Sequence, residues 1–258
     1  PPAPYIAVPT TSGTGAEVTR NAVLASPENH VKVSMRSPMM LPRLALIDPE
    51  LTYSLPPDIT ASTGLDALTQ VIEPYVSNKA NPMTDAFCRE GMRYGSAALM
   101  KAYLFGNDPA ARTQMSLTSL FGGLALANSG LGAAHGFAGP IGGMFPAPHG
   151  AVCARLLPIV METNISALRA RDAGNAALGR YEEAAKLLTR NDSARAEDGV
   201  AWIQQLCQEL HIPALSSYGV TAKDIPGIVA KSAHASSMKG NPVQLTGAEL
   251  ESIMERAL

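Results

Sequence analysis

Cysteine is scarce in this chain, and its placement excludes a disulfide framework. The 258 residues contain three cysteines, Cys88, Cys153 and Cys207, which are far apart and form no CxxC pair. An odd number of cysteines without paired spacing is typical of proteins from a reducing compartment. We therefore expect free thiols and a cytoplasmic location.

Charge is also scarce, and the basic residues form no cluster. Lys, Arg, Asp and Glu make up 16% of the chain, the net charge is −2, and the 20 Lys and Arg residues are scattered. Nucleic-acid binding needs a basic patch or stripe, which this pattern does not supply. The 46% of hydrophobic residues instead indicates a globular protein with a sizeable core.

The chain lacks a hydrophobic run that would predict a membrane span. The nearest candidate, residues 113–154, contains no Asp, Glu, Lys or Arg. It is interrupted by Gly, Ser, Asn and Pro and has no 18 consecutive apolar residues, so we expect core and no membrane partner. An initiator Met is missing as well, which predicts that the chain starts inside a longer protein.

The sequence pattern changes from strand-like to helical near residue 57. Before it, turn residues separate four short β-type runs, YIAVPTT, NAVLAS, VKVSM and LALIDP. From about Asp58 onward the hydrophobic period is helical. The simplest architecture is the end of an α/β domain over residues 1–57, followed by an all-helical domain over residues 58–258.

The helical part begins with an amphipathic stretch. Its apolar residues share one face: Leu65, Leu68, Val71, Ile72 and Tyr75. Thr60, Ser62 or Thr63 is expected to cap its N-terminus, and Pro74 should kink or end it. Further helices are predicted at roughly 82–105, 109–137, 148–170, 174–190, 195–210, 221–235 and 246–257.

The turn PTTSGTGAEVT at residues 9–19 concentrates hydroxyls and glycines directly after a predicted strand. Glycine lets a backbone approach a phosphate closely, and hydroxyls donate hydrogen bonds to phosphate oxygens. The turn is therefore a candidate binding site for a diphosphate or nucleotide. It matches neither a Walker A loop nor GxGxxG, so an ordinary loop is the alternative interpretation.

Asp66 and Gln70 are four residues apart, which places them on one face of the first helix. Asp66 adjoins the apolar stripe, where a carboxylate needs a cation or hydrogen-bond donors. A capping or solvent-facing role for Asp66 is the alternative. Glu73 is expected to be a plain surface or hinge residue.

Two of the five histidines, His135 and His149, lie in an uncharged stretch rich in Gly, Ala and Pro. We expect His135 near the end of one helix, His149 near the start of the next, and a compact loop between them. Two facing histidines with a carboxylate from an earlier helix would form a divalent-metal site with an open position. Each histidine could instead be buried and satisfied by a neighbouring carbonyl.

The three remaining histidines and the tryptophan are expected to have structural roles. His30 and His211 are expected in turns, and His234 at the surface or at an interface, from which it could still approach a site. Trp202 is expected in the core.

Taken together, these stretches resemble the iron-containing (group III) alcohol dehydrogenase family over essentially the whole chain. AVPTTSGTGAEVT resembles its cofactor-binding turn, LPRLALIDPEL the segment leading out of its first domain, and GLDALTQVIEPY its first metal-ligand helix. GAAHGFAGPIGGMFPAPHG resembles the signature with its remaining ligands, and GNPVQLTGAEL its C-terminal NP-then-T pattern. The resemblance implies a dehydroquinate synthase-like architecture, in which an active-site cleft separates a Rossmann-like domain, here incomplete, from a helical domain.

The resemblance also assigns residues to NAD or NADP. Those in this chain are Thr10, Thr11, Gly13, Thr19 and Lys32. Lys32 stands sixteen residues before Asp48, the family's spacing for a lysine that contacts the nucleotide. The glycine-rich loop for the pyrophosphate would lie upstream of Pro1.

For the metal, the resemblance implies Asp66, Gln70, His135 and His149, with iron as the ion and zinc or another ion as alternatives. Gln70 stands where the family has histidine, and Gly139 where a further, non-ligand histidine of the cleft often appears. Because an amide oxygen is a poorer ligand than imidazole, the site could bind weakly or prefer a harder ion. Alternatively, Gln70 merely lines the site, or the metal has been lost.

The resemblance implies hydride transfer between NAD(P) and a small alcohol, aldehyde or ketone, catalysed by a homo-oligomer, expected to be a dimer. Because Gly139 widens the cleft, the substrate is expected to be bulkier or to carry its own polar group. Two alternatives stay open: a dehydroquinate synthase-like lyase, and a metal-free, non-catalytic member of the family.

Overall fold

The computed structural model describes residues 3–29 and 31–258, so the expectation for His30 lies outside the described residues. Four short strands precede the helices: β1 (Ile6–Ala7), β2 (Asn21–Ser26), β3 (Val31–Arg36) and β4 (Leu44–Ala45). β1 pairs parallel with β4, and β2 pairs antiparallel with β3. Each strand falls in one of the four β-type runs, so the small α/β remnant is confirmed.

Nine α-helices occupy most of the rest of the described chain. They are α1 (Pro57–Val76), α2 (Pro82–Leu104), α3 (Pro109–Ser129), α4 (Ala133–Met144), α5 (His149–Arg171), α6 (Ala176–Thr189), α7 (Ala196–Glu209), α8 (Ile225–Ala233) and α9 (Gly247–Ala257). The expected all-helical part is thus confirmed, whereas the domain division at residue 57 stays a prediction.

The start of α1 differs from the sequence-based expectation. The helix begins at Pro57, and no side chain caps it. Proline is favourable at a first helical position because its missing N–H would have no partner there. The predicted hydroxyl cap is therefore wrong, and its three candidates lie inside the helix: Thr60, Ser62 and Thr63. The helix ends at Val76, two residues after Pro74.

The single helix predicted over residues 109–137 is wrong, because the structure divides it into two helices. α3 ends at Ser129, and Gly130 follows with a φ of 69°, in the region that favours glycine. α4 then departs at an angle of 98° to α3.

Side chains from distant parts of the chain hold the start of α4. The backbone N–H of Ala133 donates to Oδ1 of Asn241, and that of Ala134 donates to Oε1 of Glu73. These bonds satisfy helix N-terminal donors that have no partner within the helix. His135 consequently lies in the first turn of α4, not near the end of a helix, and α4 occupies most of the predicted loop.

α1 is the central helix of the fold, and most of its residues are buried. It packs against α2, α3, α5 and α6. One core cluster joins α1–α3 with α5–α7, and a second joins α4, α5, α8 and α9. Trp202 packs against the first cluster, as expected.

In the described chain, α5 is long and apolar enough to cross a membrane, and α3 with α4 meet the same criteria as a bent pair. However, 78% of the relevant part of α5 is buried inside the protein. Such burial is what the core helix of a globular fold shows.

Gly150 sets the distance between α5 and α1. A Cβ atom at this position would lie 2.4 Å from the carbonyl oxygen of Ser62 in α1. Gly150→Ala should therefore push the two helices apart and lower the free energy of unfolding by about 1–3 kcal/mol.

The control is the exposed Gly179 in α6, where an added Cβ would meet nothing within 4 Å. Gly179→Ala should leave the free energy of unfolding unchanged or raise it by up to ~1 kcal/mol. Urea unfolding measures both variants, and equal midpoints would contradict the expected clash.

Candidate metal centre

Asp66 lies in α1, and its side chain is buried, with only 2% of the residue exposed. Its Oδ1 atom is 3.3 Å from Nε2 of His135 in α4 and 3.8 Å from Nε2 of His149 at the start of α5. The solvent-facing alternative for Asp66 is therefore wrong. Three helices each bring one side chain to the same point.

Cys153 adds a fourth side chain to this group. It follows His149 by one turn of α5, and its Sγ lies 3.8 Å from Nε2 of His149. The ligand-type atoms of Asp66, His135, His149 and Cys153 all lie within 4.8 Å of one another. Sequence reasoning treated Cys153 only as a free thiol, although its four-residue spacing from His149 signals a shared helix face.

Glu73 contacts the ring nitrogen of His135 that faces away from Asp66. The expectation that Glu73 is a plain surface or hinge residue is therefore wrong. Only 4% of Glu73 is exposed, and its Oε2 lies 2.7 Å from Nδ1 of His135. The other carboxylate oxygen accepts from the N–H of Ala134. A carboxylate on the second ring nitrogen is the usual companion of a metal-ligating histidine. The signal in the sequence was the seven-residue spacing from Asp66, two helical turns along one face.

The atoms at the centre of the group fit a cation. Oδ1 of Asp66 and Nε2 of His135 are buried, and neither makes a hydrogen bond to any described residue. A buried polar atom without a partner is destabilising, by about 1–3 kcal/mol for a neutral group and more for a charged one. A divalent cation between the carboxylate and the imidazoles would satisfy both atoms at once.

The electrostatics of the group also favour positive charge at its centre. Burial opposes ionisation of Asp66, but His149 and His135 outweigh it and lower the pKa of this carboxyl. Burial likewise opposes protonation of His135, yet Cys153, Asp66 and Glu73 raise its pKa well above the ordinary value. Cys153 and Asp66 also raise the pKa of His149. The cluster therefore stabilises protons or a cation.

Gln70 lies one turn after Asp66 in α1, but its amide is engaged elsewhere. The residue is buried, and its Nε2 donates a hydrogen bond of 2.9 Å to the carbonyl oxygen of Gly13. Gln70 thus connects α1 to the Thr/Gly turn. Metal ligation by Gln70 stays a prediction and would have to use Oε1.

The four turn residues assigned to the nucleotide differ in exposure. Gly13 and Thr19 are buried, Thr11 is half-buried and Thr10 is exposed. The Thr19 hydroxyl donates to the carbonyl of Ala16 at 3.0 Å. The hydroxyls of Thr10 and Thr11 are therefore the more accessible to a ligand.

The turn is fixed onto α3 by close contacts. Oγ of Ser12 lies 3.1 Å from Oγ of Ser116, and the N–H of Gly15 donates to Oγ of Ser119. Gly15 has a φ of 57°, and a Cβ on Gly123 would lie 2.2 Å from the Gly15 carbonyl oxygen. The two glycines therefore permit direct backbone contact between turn and helix.

Lys32 in β3 points toward α4. Its Nζ lies 3.6 Å from the place that a Cβ on Gly142 would occupy. Gly139, one turn after His135 in α4, has open space where its Cβ would be, with nothing within 4 Å. The position at which the family often has a histidine is thus free of described side chains.

The two other described histidines lie outside this group. His211 is in a turn, as expected, with a φ of 54°. His234 is exposed at the C-terminal end of α8, in agreement with the expected surface position.

The chain belongs to the iron-containing alcohol dehydrogenase family. The region described as "Fe-containing alcohol dehydrogenase family, C-terminal" matches residues 60–258, and that described as "Iron-containing alcohol dehydrogenase" matches residues 1–49. The resemblance seen in the sequence motifs is therefore confirmed.

Curated relatives share about a third of their residues with this chain. Alcohol dehydrogenase 4 of Saccharomyces cerevisiae is 34% identical over 98% of this chain and 65% of its own length. Alcohol dehydrogenase 4 of Schizosaccharomyces pombe is 37% identical over 100% of this chain and 60% of its own length. 1,3-Propanediol dehydrogenase of Klebsiella pneumoniae is 36% identical over 98% of this chain and 65% of its own length. The chain thus spans slightly less than two thirds of the length of these relatives.

Solved structures confirm the fold. A 1,3-propanediol oxidoreductase superposes with a TM-score of 0.91 at 34% identity, over 100% of this chain and 67% of that one. Sulfoacetaldehyde reductase from Bifidobacterium kashiwanohense, solved in complex with NAD+, superposes with a TM-score of 0.84 at 30% identity. This match covers 98% of this chain and 64% of the reductase.

Removing the charge of Glu73 should weaken metal binding. In Glu73→Gln, the amide oxygen can still accept from Ala134, but no carboxylate faces Nδ1 of His135. We expect roughly a 10–100-fold lower metal affinity, the usual effect of losing such a partner. Competition with a chromophoric chelator measures it. Glu251→Gln, at an exposed position of α9, is the control, and equal affinities for the two variants would contradict the assignment.

Proposed function

We propose that this chain belongs to a metal- and nicotinamide-dependent alcohol dehydrogenase that also reduces aldehydes or ketones. The observation that carries the proposal is the buried group of Asp66, His135 and His149, two of whose facing atoms have no hydrogen-bond partner among the described residues. Gln70 links this group to the Thr/Gly turn. A candidate cation site and a candidate nucleotide turn therefore adjoin along α1.

The comparisons support the choice of reaction partners. Relatives are named for alcohol and 1,3-propanediol, and the sulfoacetaldehyde reductase binds NAD+. We propose a small-molecule alcohol and its aldehyde or ketone as the substrate pair, and NAD or NADP as the hydride carrier. The open space at Gly139 supports a substrate bulkier than the family's usual one.

Asp66, His135 and His149 would hold a divalent ion such as iron or zinc, which supplies Lewis acidity toward the substrate oxygen. Asp66 contributes a negative charge, and because the carboxylate is buried, its electrostatic attraction for the ion is stronger than it would be in water. Glu73 accepts from Nδ1–H of His135 and thereby turns Nε2 toward Asp66. The His149 side chain is 35% exposed, more than its neighbours, and marks the side from which the substrate approaches.

The nucleotide is proposed to bind beside this group. Thr10 and Thr11 would donate hydroxyl hydrogen bonds to phosphate oxygens, and Gly13 and Thr19 would shape the backbone around them. Lys32 would add a positive charge opposite the phosphates. A nicotinamide held in this way would supply hydride-transfer chemistry beside the group that binds the substrate oxygen.

We also propose a homodimeric assembly and a cytoplasmic location. The first rests on the family resemblance, and the second on three cysteines without a disulfide among them. Size-exclusion chromatography with light scattering tests the assembly.

Replacing a proposed ligand tests the function. In His149→Ala, the metal content should fall well below that of the wild type, and NAD(P)H oxidation with a panel of aldehydes and ketones should drop by about 100-fold or more, because losing a ligand is more damaging than losing its supporting partner. His234→Ala, at an exposed position outside the group, is the control. The assay uses the full natural chain.

Two results would overturn the proposal. Unchanged bound metal together with unchanged turnover in His149→Ala would exclude His149 from the site. A wild-type protein that binds neither a divalent metal nor NAD(P)H would favour a non-catalytic family member.

A further inference from the structure

We propose that Cys153, as a thiolate, is a protein ligand of the cation held by Asp66, His135 and His149, in the place that the family pattern gives to residue 70. This inference rests on the proposed function, because it assigns a ligand to the same cation. It changes the donor set from carboxylate, amide and two imidazoles to carboxylate, thiolate and two imidazoles.

The amide of Gln70 is hydrogen-bonded outside the group. Its amide nitrogen donates to the Gly13 carbonyl, and the residue is buried between α1 and the turn. This hydrogen bond gives Gln70 a structural partner of its own, which explains its burial without any metal. This bond leaves only Oε1 of Gln70 for a metal, and because an amide oxygen is a weak donor, another side chain of the group is better suited to be the fourth ligand.

Cys153 lies beside the ligand-type atoms of the group. It lies four residues after His149 in α5, so both side chains leave the helix on one face. Sγ is 3.8 Å from Nε2 of His149 and within 4.8 Å of the ligand atoms of Asp66 and His135. Cys153 is fully buried, at 0% exposure. Cys153 belongs to the core cluster of α4, α5, α8 and α9, and its Sγ also lies beside the polar atoms of the group.

The distances between the ligand-type atoms match those of a tetrahedral site. Bonds of about 2.0–2.3 Å to oxygen, nitrogen and sulfur place neighbouring ligand atoms about 3.3–3.8 Å apart in a tetrahedral site. The observed separations are 3.3 Å for Asp66 to His135, 3.8 Å for Asp66 to His149 and 3.8 Å for Cys153 to His149. These three edges fit such a site with little movement, and the substrate oxygen of the proposed function would bind as a fifth ligand.

An independent observation points to a ligand at the same place. Oδ1 of Asp66 and Nε2 of His135 belong to residues that are 2% and 7% exposed, and both atoms lack hydrogen bonds within the described chain. Both belong to the same compact group as Sγ of Cys153. The thiol therefore adjoins two buried polar atoms that a cation would satisfy.

Asp66 and Cys153, as carboxylate and thiolate, would place two negative charges directly on the divalent cation, and the buried Glu73 carboxylate stands behind His135. A cation is therefore the partner that this group of negative charges requires in a buried place. Binding converts S–H to S–metal and releases the proton to solvent. Because a thiolate is a soft donor, the set selects zinc or cobalt over magnesium or manganese. The harder-ion alternative for Gln70 is thereby disfavoured.

X-ray absorption on the zinc-loaded protein tests the assignment directly. We expect one sulfur neighbour at about 2.3 Å together with nitrogen and oxygen neighbours at about 2.0–2.2 Å. The cobalt-loaded protein should show near-ultraviolet thiolate-to-cobalt charge-transfer absorption. Cys153→Ser and Cys153→Ala should both lose the sulfur neighbour and this absorption, with zinc affinity at least about tenfold lower.

Two variants serve as controls. Cys207→Ser removes a half-buried thiol whose Sγ donates to the carbonyl of Ala154, and it should keep the sulfur neighbour and the absorption. Gln70→Ala should keep both signals as well while weakening NAD(P)H binding. Circular dichroism identifies any variant that has failed to fold, and using both Ser and Ala at Cys153 guards against that outcome.

The outcomes separate this inference from the proposed function. Zinc bound through nitrogen and oxygen alone, with His149→Ala still losing metal, would overturn the role of Cys153 and leave the function standing. Loss of zinc in Gln70→Ala with retention in Cys153→Ser would do the same. A wild-type protein that binds no divalent metal would overturn both.

Discussion

The buried carboxylate of Asp66 constrains everything around it. It lies on the central helix of the fold, with 2% of the residue exposed, and a negative charge in such a place requires compensation of several kcal/mol. Two histidines on other helices, His135 and His149, face this carboxylate and lower its pKa, and the proposed cation between them would supply the positive charge. α1, α4 and α5 must therefore meet at this point, and the contact of Gly150 with the backbone of α1 permits that approach.

Glu73 couples the fold to the chemistry of the site. One of its carboxylate oxygens accepts from the backbone at the start of α4, and the other faces His135. The same side chain therefore fixes where α4 begins and how the imidazole is turned. Asn241, which accepts from Ala133 and exchanges hydrogen bonds with Asn164 of α5, extends this support toward the C-terminal part of the chain.

The two departures from the family pattern have different structural consequences. At position 70 an amide replaces imidazole, and the amide holds the Thr/Gly turn against α1. At position 139 the missing side chain leaves open space beside His135. If Cys153 is a ligand, the metal ligand that the family has at position 70, an imidazole on α1, is replaced by a thiolate on α5. The second departure would give the substrate of the proposed function more room.

The sequence by itself determined the family, the strands, most of the helices and three members of the cluster, because motif order and hydrophobic period are local properties. Only the tertiary structure decided where the helix after Ser129 breaks, since the donors of α4 are satisfied by Glu73 and Asn241, which are distant in sequence. It also decided that Glu73 is buried, that Gln70 turns to Gly13, and that Cys153 faces His149. The directions of these side chains depend on which helices pack together, and no local pattern specifies that packing.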